Sequence, residues 1–308
     1  MAKTRVERLR LGTRRSPLAL AQSGMVARAL EAAHPGLTVE LVPIVTRGDV
    51  TAGDLARFGG KGLFTQELES GLVDGSLDFA VHSLKDLPVR LPDGLEIAAY
   101  PERADPRDVL VSEAATAIGG LPVGAVVLTG ALRRRAQLLL LRPDLAVEPL
   151  RGNVDTRLRK WRESGAGGVI LAGAGLARLG LADLPAHPIA PADLLPAPGQ
   201  GTLALEARAG SPAAELLRAL DHADTARAAD AERRVVAAFG GDCSLPLAAW
   251  ARPEGDGRLR LTALLATPDG KHAARGEAVG ATAEEAAAAC VAAMREDGAE
   301  GVLGRIRG

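Results

Sequence analysis

Apolar residues in the first two thirds of the chain come as short runs, and these alternate with amphipathic stretches. Arg8 to Gly12 reads as a strand, broken at Thr13 to Pro17 and followed by a helical stretch from Leu18 to Ala33. Pro17 suits the first helical turn, where its missing N–H costs nothing, and His34-Pro35-Gly36 ends the helix. Val39 to Val45 is a β-branched strand. The Gly-rich stretch Phe58 to Gly62 leads into a helix from Leu63 to about Asp74. Leu77 to Val81 is a buried strand by its apolar run, ending at His82-Ser83-Leu84-Lys85-Asp86. The alternation then repeats: strands at 125–128, 145–150 and 169–172, helices at 132–141, 154–162 and 176–179. It predicts α/β layers with largely parallel sheets.

Two stiff Pro/Gly-rich segments, 101–107 and 195–201, look like crossings between domains. They predict a discontinuous first domain, 1–101 with 201–221, an inserted second domain, 107–195, and a cleft that hinges on two strands. Beyond Asp221 the pattern changes. An Ala-rich helix over 225–238 precedes three strand candidates at 247–251, 258–266 and 272–278, and Thr282-Ala-Glu-Glu285 reads as a capping box. Residues 224–308 are thus expected to form a small α+β third domain with an antiparallel sheet.

Composition narrows the functions. The 308 residues are 47% hydrophobic and 24% charged with net charge −1, so no basic field draws nucleic acid. Seven aromatics are too few for a base-stacking platform. No apolar run has the length of a membrane span. The charged first ten residues lack an apolar core, which predicts no secretory signal and a cytoplasmic setting. Cys243 and Cys290 form no CxxC, and the five histidines fall in no metal-ligand spacing, so neither a disulfide framework nor a zinc site is expected. Lys61 is followed by Gly62 where a phosphate loop needs Ser or Thr, and Arg178 replaces the third glycine after Gly173-Ala174-Gly175.

The candidate chemistry lies at strand ends. Arg14, Ser16, Thr129, Arg133, Arg134, Arg151 and Arg157 fall at or near strand-to-helix junctions. In open α/β sheets ligands lie at the carboxyl ends of strands, and guanidinium pairs with carboxylate in bidentate fashion. Either the protein binds a ligand with many anionic groups, or these are solvated surface arginines. Asp86 could stabilise a cation, or could form a surface pair with Lys85 of little energetic worth. Cys290 lies in an Ala-rich helix and reads as buried and inert. Cys243 lies in the loop Gly240 to Pro246, where a thiolate can carry a covalent group.

Several segments, taken in order, resemble the porphobilinogen deaminase (hydroxymethylbilane synthase) family. They are Thr13 to Ala19, Val45 to Asp49, Gly59 to Phe64, Ala80 to Asp86, Leu132-Arg133-Arg134, Leu150 to Val154 with Thr156-Arg157, Gly175 to Gly180, Pro198 to Gly201 and the Cys243 loop. The resemblance implies two periplasmic-binding-protein-like α/β domains plus a small α+β C-terminal domain. It implies a typically monomeric enzyme that condenses four porphobilinogen molecules into the linear tetrapyrrole hydroxymethylbilane, with release of four ammonia. The condensation runs on a dipyrromethane cofactor in thioether linkage to Cys243, with Asp86 as the catalytic carboxylate. Loss of ammonia from porphobilinogen leaves an electron-poor azafulvenium, and a fixed carboxylate stabilises the positive charge that follows on pyrrole nitrogen. Each ring carries an acetate and a propionate, so Arg14, Arg133, Arg134, Arg151, Arg157, Arg178, Lys61 and Lys85 serve as cationic partners. Ser16, Ser83, Thr129 and Gln200 add neutral donors. Phe64 can stack on a pyrrole, and 57–61 has the glycine content of a mobile lid. The sequence departs from the family pattern at Ala131, where a hydroxyl is usual, at Asp242, where Gly is usual, and at Arg57, where some relatives have Lys. The competing reading is a non-catalytic carboxylate-binding protein of binding-protein architecture.

Overall fold

The computed structural model describes residues 6–46, 65–241 and 245–308. The chain divides into two units, Met1–Arg103 with Thr202–Ala226, and Ala104–Gly201 with Arg227–Gly308.

In the first unit β1 (Arg8–Arg14), α1 (Pro17–Ala33), β2 (Thr38–Ile44), α2 (Gln66–Asp74), β3 (Phe79–Ser83) and β4 (Leu95–Ala99) precede the crossing. In the second unit β5 (Asp108–Val111), β6 (Val126–Leu128), α3 (Leu132–Leu141), β7 (Ala146–Glu148), α4 (Val154–Ser164), β8 (Gly168–Ala172), α5 (Gly173–Arg178) and β9 (Ala186–Pro188) follow it. The chain then returns to the first unit as β10 (Leu203–Arg208) and α6 (Pro212–Leu217). It closes with α7 (Ala223–Ala238), β11 (Leu247–Pro253), β12 (Leu259–Ala266), β13 (Ala273–Gly280), α8 (Ala283–Glu296) and α9 (Ala299–Arg307).

The first sheet has the order β2-β1-β3-β10-β4 and the second β7-β6-β8-β5-β9. β1 is parallel to β2 and β3, and β6 is parallel to β7 and β8. The fourth strand of each sheet, β10 or β5, is antiparallel to both neighbours. Largely parallel sheets were expected; the sheets are mixed because each fourth strand begins just after a crossing segment and so enters in the opposite sense. Apolar alternation assigns the faces. Leu9 and Leu11 join Val26 and Leu30 of α1 in one core, while the opposite face packs Ala80 against Leu68 and Leu72 of α2. In the second sheet Leu110 and Ile170 face Leu138 of α3, and Val109, Val169 and Leu171 face Leu158 and Trp161 of α4.

The third sheet, β11-β12-β13, is antiparallel. Its inner residues Leu247, Leu261 and Leu265 pack on Val235, Cys290 and Met294 from α7 and α8. Thr282 caps α8 by accepting from Glu285 N, and Glu285 Oε2 returns to Ala281 N rather than to the cap residue itself. This segment clusters with 104–201. Arg135 of α3 donates to Pro268 O, and Glu232 of α7 accepts from both Gly199 N and Ala251 N. Among the described residues no helix is long and apolar enough to cross a membrane.

Candidate functional site

In the first unit the candidate residues gather at the carboxyl ends of β1 and β3. The two strands are parallel neighbours, with Gly12 opposite Ala80, so Arg14 and Ser83 end side by side. Ser16 is the N-cap of α1 and its Oγ accepts from Ala19 N. Ser23 Oγ donates to Thr13 Oγ1 at 2.7 Å, which locks α1 to the end of β1. Ser83 Oγ is 3.0 Å from Gln22 Nε2, which donates to it. Lys85 and Asp86 follow in a 3-10 turn, Leu84–Asp86, closed by Leu87 N donating to Leu84 O. Asp86 is exposed and Lys85 half-buried. Gln22 was not anticipated. Its signal is a polar residue on the buried face of α1, beside Ser23 and Val26.

The arginines of the second unit differ from one another. Thr129 is buried after β6, and its Oγ1 accepts from Ala131 N at 3.3 Å. Gly130 passes so close to the Leu150 carbonyl that a Cβ there would collide with it. Arg133 and Arg134 stand in the first turn of α3, yet both are buried and turned inward. Arg133 donates to Asp108 Oδ2 and Leu195 O; Arg134 donates to Asp108 Oδ1 and Ile170 O. Gln200 Nε2 adds a 2.7 Å bond to Asp108 Oδ1. Burial alone would raise the Asp108 pKa, but the two guanidinium charges and the bonds from Arg134 and Gln200 hold its carboxyl well below the usual carboxylate range. Burial pulls the Arg133 pKa down, against the Asp108 charge. So the three residues expected as ligand donors first serve a buried carboxylate. The cluster carries two positive charges against one negative, a surplus of one.

Arg151 is exposed at the carboxyl end of the third strand-to-helix junction. Asn153 caps α4, accepting from Thr156 N, and Arg157 Nε donates to Gly152 O. Arg178 is the last residue of α5. It donates from one terminal nitrogen to Gly201 O at 2.7 Å, while its buried Nε has no hydrogen-bond partner among the described residues. Desolvation lowers its pKa. Such an orphaned donor fits an anionic group. Other arginines are structural: Arg10 is held by Asp78 and Gly75 O, and Arg142 by Asp144 and the carbonyls of Ile118 and Leu121.

Cys290 is fully buried in the core of the third sheet, and burial pushes its thiol pKa up to about 12, which suits an inert residue. Cys243, Lys61 and Phe64, with Arg57 and Asp242, lie outside the described residues.

A family model described as "Porphobilinogen deaminase, dipyromethane cofactor binding domain" matches residues 9–215. A second, "Porphobilinogen deaminase, C-terminal domain", matches residues 226–297. Among solved structures, a BvgS VFT2 domain from Bordetella pertussis is 15% identical with TM-score 0.41, covering 70% of this chain and 86% of its own. The methionine-binding protein MetQ is 12% identical with TM-score 0.42, covering 69% of this chain and 89% of its own. Neither likeness bears on chemistry.

Proposed function

The chain belongs to the porphobilinogen deaminase family, and we propose from that premise that it is a hydroxymethylbilane synthase, a monomer of the cytoplasm with porphobilinogen as its small-molecule substrate. Dipyrromethane is its cofactor, and we assign the thioether to Cys243, because Cys290 is buried in an apolar core. We retain the three-domain division at 1–101 with 201–221, 107–195 and 224–308, supported by three separate sheets.

The observation that carries the reading is Arg178, a largely buried guanidinium whose Nε lacks a partner among the described residues. The surplus charge of the Asp108 cluster adds to it. Acetates and propionates of pyrroles match such donors, and charge-assisted bonds of this kind are the strong ones. The residues present therefore fit a polyanionic group. When bound, dipyrromethane supplies the nucleophilic pyrrole carbon from which the product chain grows.

This chain's own residues do the rest. Arg151, Arg157 and Arg178 bind carboxylates, and Arg133, Arg134 and Gln200 hold Asp108 and keep the start of α3 positive. Thr129, Ser16 and Ser83 give neutral bonds, Arg14 and Lys85 add charge at the ends of β1 and β3, and Lys61 and Phe64 complete the set. Asp86, exposed at its turn, stabilises positive charge on pyrrole nitrogen and carries a proton to and from it. The test is incubation of the purified protein with porphobilinogen. Four ammonia per tetrapyrrole support the reading; binding without ammonia release favours the carboxylate-binding protein instead.

A further inference from the structure

A buried acid–base pair lies inside the first sheet and is used by no step above. His82 on β3 is 6% exposed and Glu206 on β10 is fully buried, with Nε2 and Oε2 2.9 Å apart. The register sets Glu206 opposite Ala80, so Glu206 and His82 are diagonal neighbours on one face. Glu69 of α2 approaches the same place. Burial raises its pKa, against a bond from Thr65; the Glu206 charge adds to the rise and His82 opposes it. Neither Glu206 oxygen has hydrogen-bond alignment with a described residue. A buried polar pair so loosely satisfied is a poor source of stability, and an apolar pair of similar volume commonly does as well or better. Its placement points elsewhere.

The last two residues of β3 and the first residue of Asp86's turn are tied down one after another. His82 meets Glu206, Ser83 Oγ accepts from Gln22 Nε2, and Leu84 N donates to Thr202 O at 3.0 Å. The tethers come from three different segments: β10, α1 and the residue that precedes β10. We propose that the His82–Glu206 pair is a positioning device for the condensation, fixing the end of β3 so that the 3-10 turn holds the Asp86 carboxylate in its working place. His82 and Glu206 are positioning residues that act through Asp86. The inference rests on the reading of Asp86 as the reacting carboxylate.

The experiment compares turnover and thermal stability in Glu206→Leu, Glu206→Gln and the double variant His82→Leu/Glu206→Leu, with Asp86→Asn alongside. Glu206→Leu strands His82 and should lower both Tm and kcat, the latter by about tenfold to a hundredfold, with KM changed less than about twofold. Glu206→Gln keeps an acceptor for the imidazole N–H and should recover most of that turnover. The double variant removes both polar groups; its Tm should return to the unsubstituted value or above, while kcat stays about tenfold down. That separation of Tm from kcat is what a merely structural pair would not produce. If Glu206→Leu does not fold, the double variant alone decides. Normal kcat in the double variant, or a loss confined to KM, overturns the positioning role. Normal turnover in Asp86→Asn overturns the underlying reading of Asp86, and the positioning role with it.

Discussion

In the first five-stranded sheet the fourth strand, β10, buries Glu206; in the second the fourth strand, β5, buries Asp108. The strand orders and senses match, but the carboxylates are held differently. Asp108 stands at the start of its strand, opposite Ala172, and accepts from Arg133, Arg134 and Gln200. Glu206 stands in mid-strand and has His82 alone at ion-pair distance among the described residues. One plan thus yields two kinds of edge. The second sheet gathers arginines around its buried carboxylate; the first presents the exposed Asp86 just beyond the end of β3, and we propose that the chemistry falls to the first and most of the carboxylate binding to the second.

The largest expected effect is at the better-satisfied acid. Asp108→Ala leaves two buried guanidiniums unpaired and should cost about 3–5 kcal/mol, read from denaturant unfolding of the second unit. A cost equal to that of Glu206→Ala would erase the contrast between the sheets. The same cluster sets an acid limit. Because the folded pKa of Asp108 is depressed, its contribution is present above the unfolded value of about 3.9 and is lost as pH falls through the folded value. Unfolding followed against pH should therefore steepen in acid, and Asp108→Asn should flatten the slope.

Next comes the chemical edge. Asp86→Asn keeps the shape of the turn and should lower kcat about a hundredfold or more, with KM changed less. Arg178→Leu tests the proposed binding edge and should remove a charge-assisted contact to the ring carboxylates worth about 1.5–3 kcal/mol, hindering cofactor assembly or chain elongation. Native electrophoresis would then show unloaded or stalled species. A distribution of species like that of the unsubstituted protein would contradict the role given to Arg178.

The smallest effect is at Ala131. It is the N-cap of α3 and offers no side-chain cap, so Ala131→Ser should add about 0.5–2 kcal/mol to stability. Thr129 Oγ1 already bonds the Ala131 N–H, and kcat/KM should change by no more than about tenfold, equivalent to 1.4 kcal/mol. A larger kinetic gain would show that the missing hydroxyl belongs to the binding edge.

The elements with clean periodicity were legible in the sequence: α3 spans Leu132–Leu141 as read, and α1, read from Leu18 to Ala33, begins one residue earlier at Pro17. β5 and β10 were not legible. Asp108 opens the short β5 and Glu206 interrupts the apolar run of β10, and only the folded sheet shows the partners that let those carboxylates be buried. The motifs mark the junctions that follow β1, β3 and β6, because junction residues are local in sequence. They could not show that Arg133 and Arg134 turn inward, since that depends on Asp108, about 25 residues away, nor that Gln22 reaches Ser83. The helix read from Leu63 is described only from Gln66.

The division of labour between the two edges is tested most directly by intact-protein mass after a brief exposure to limiting porphobilinogen, with peptide mapping, in Asp86→Asn and Arg151→Leu. Asp86→Asn should carry dipyrromethane on the Cys243 peptide and add almost no further pyrrole units. Arg151→Leu should lack the cofactor or stop at partly extended species. Normal elongation by Asp86→Asn, an adduct on the Cys290 peptide, or a normal series of extended species in Arg151→Leu would contradict the account.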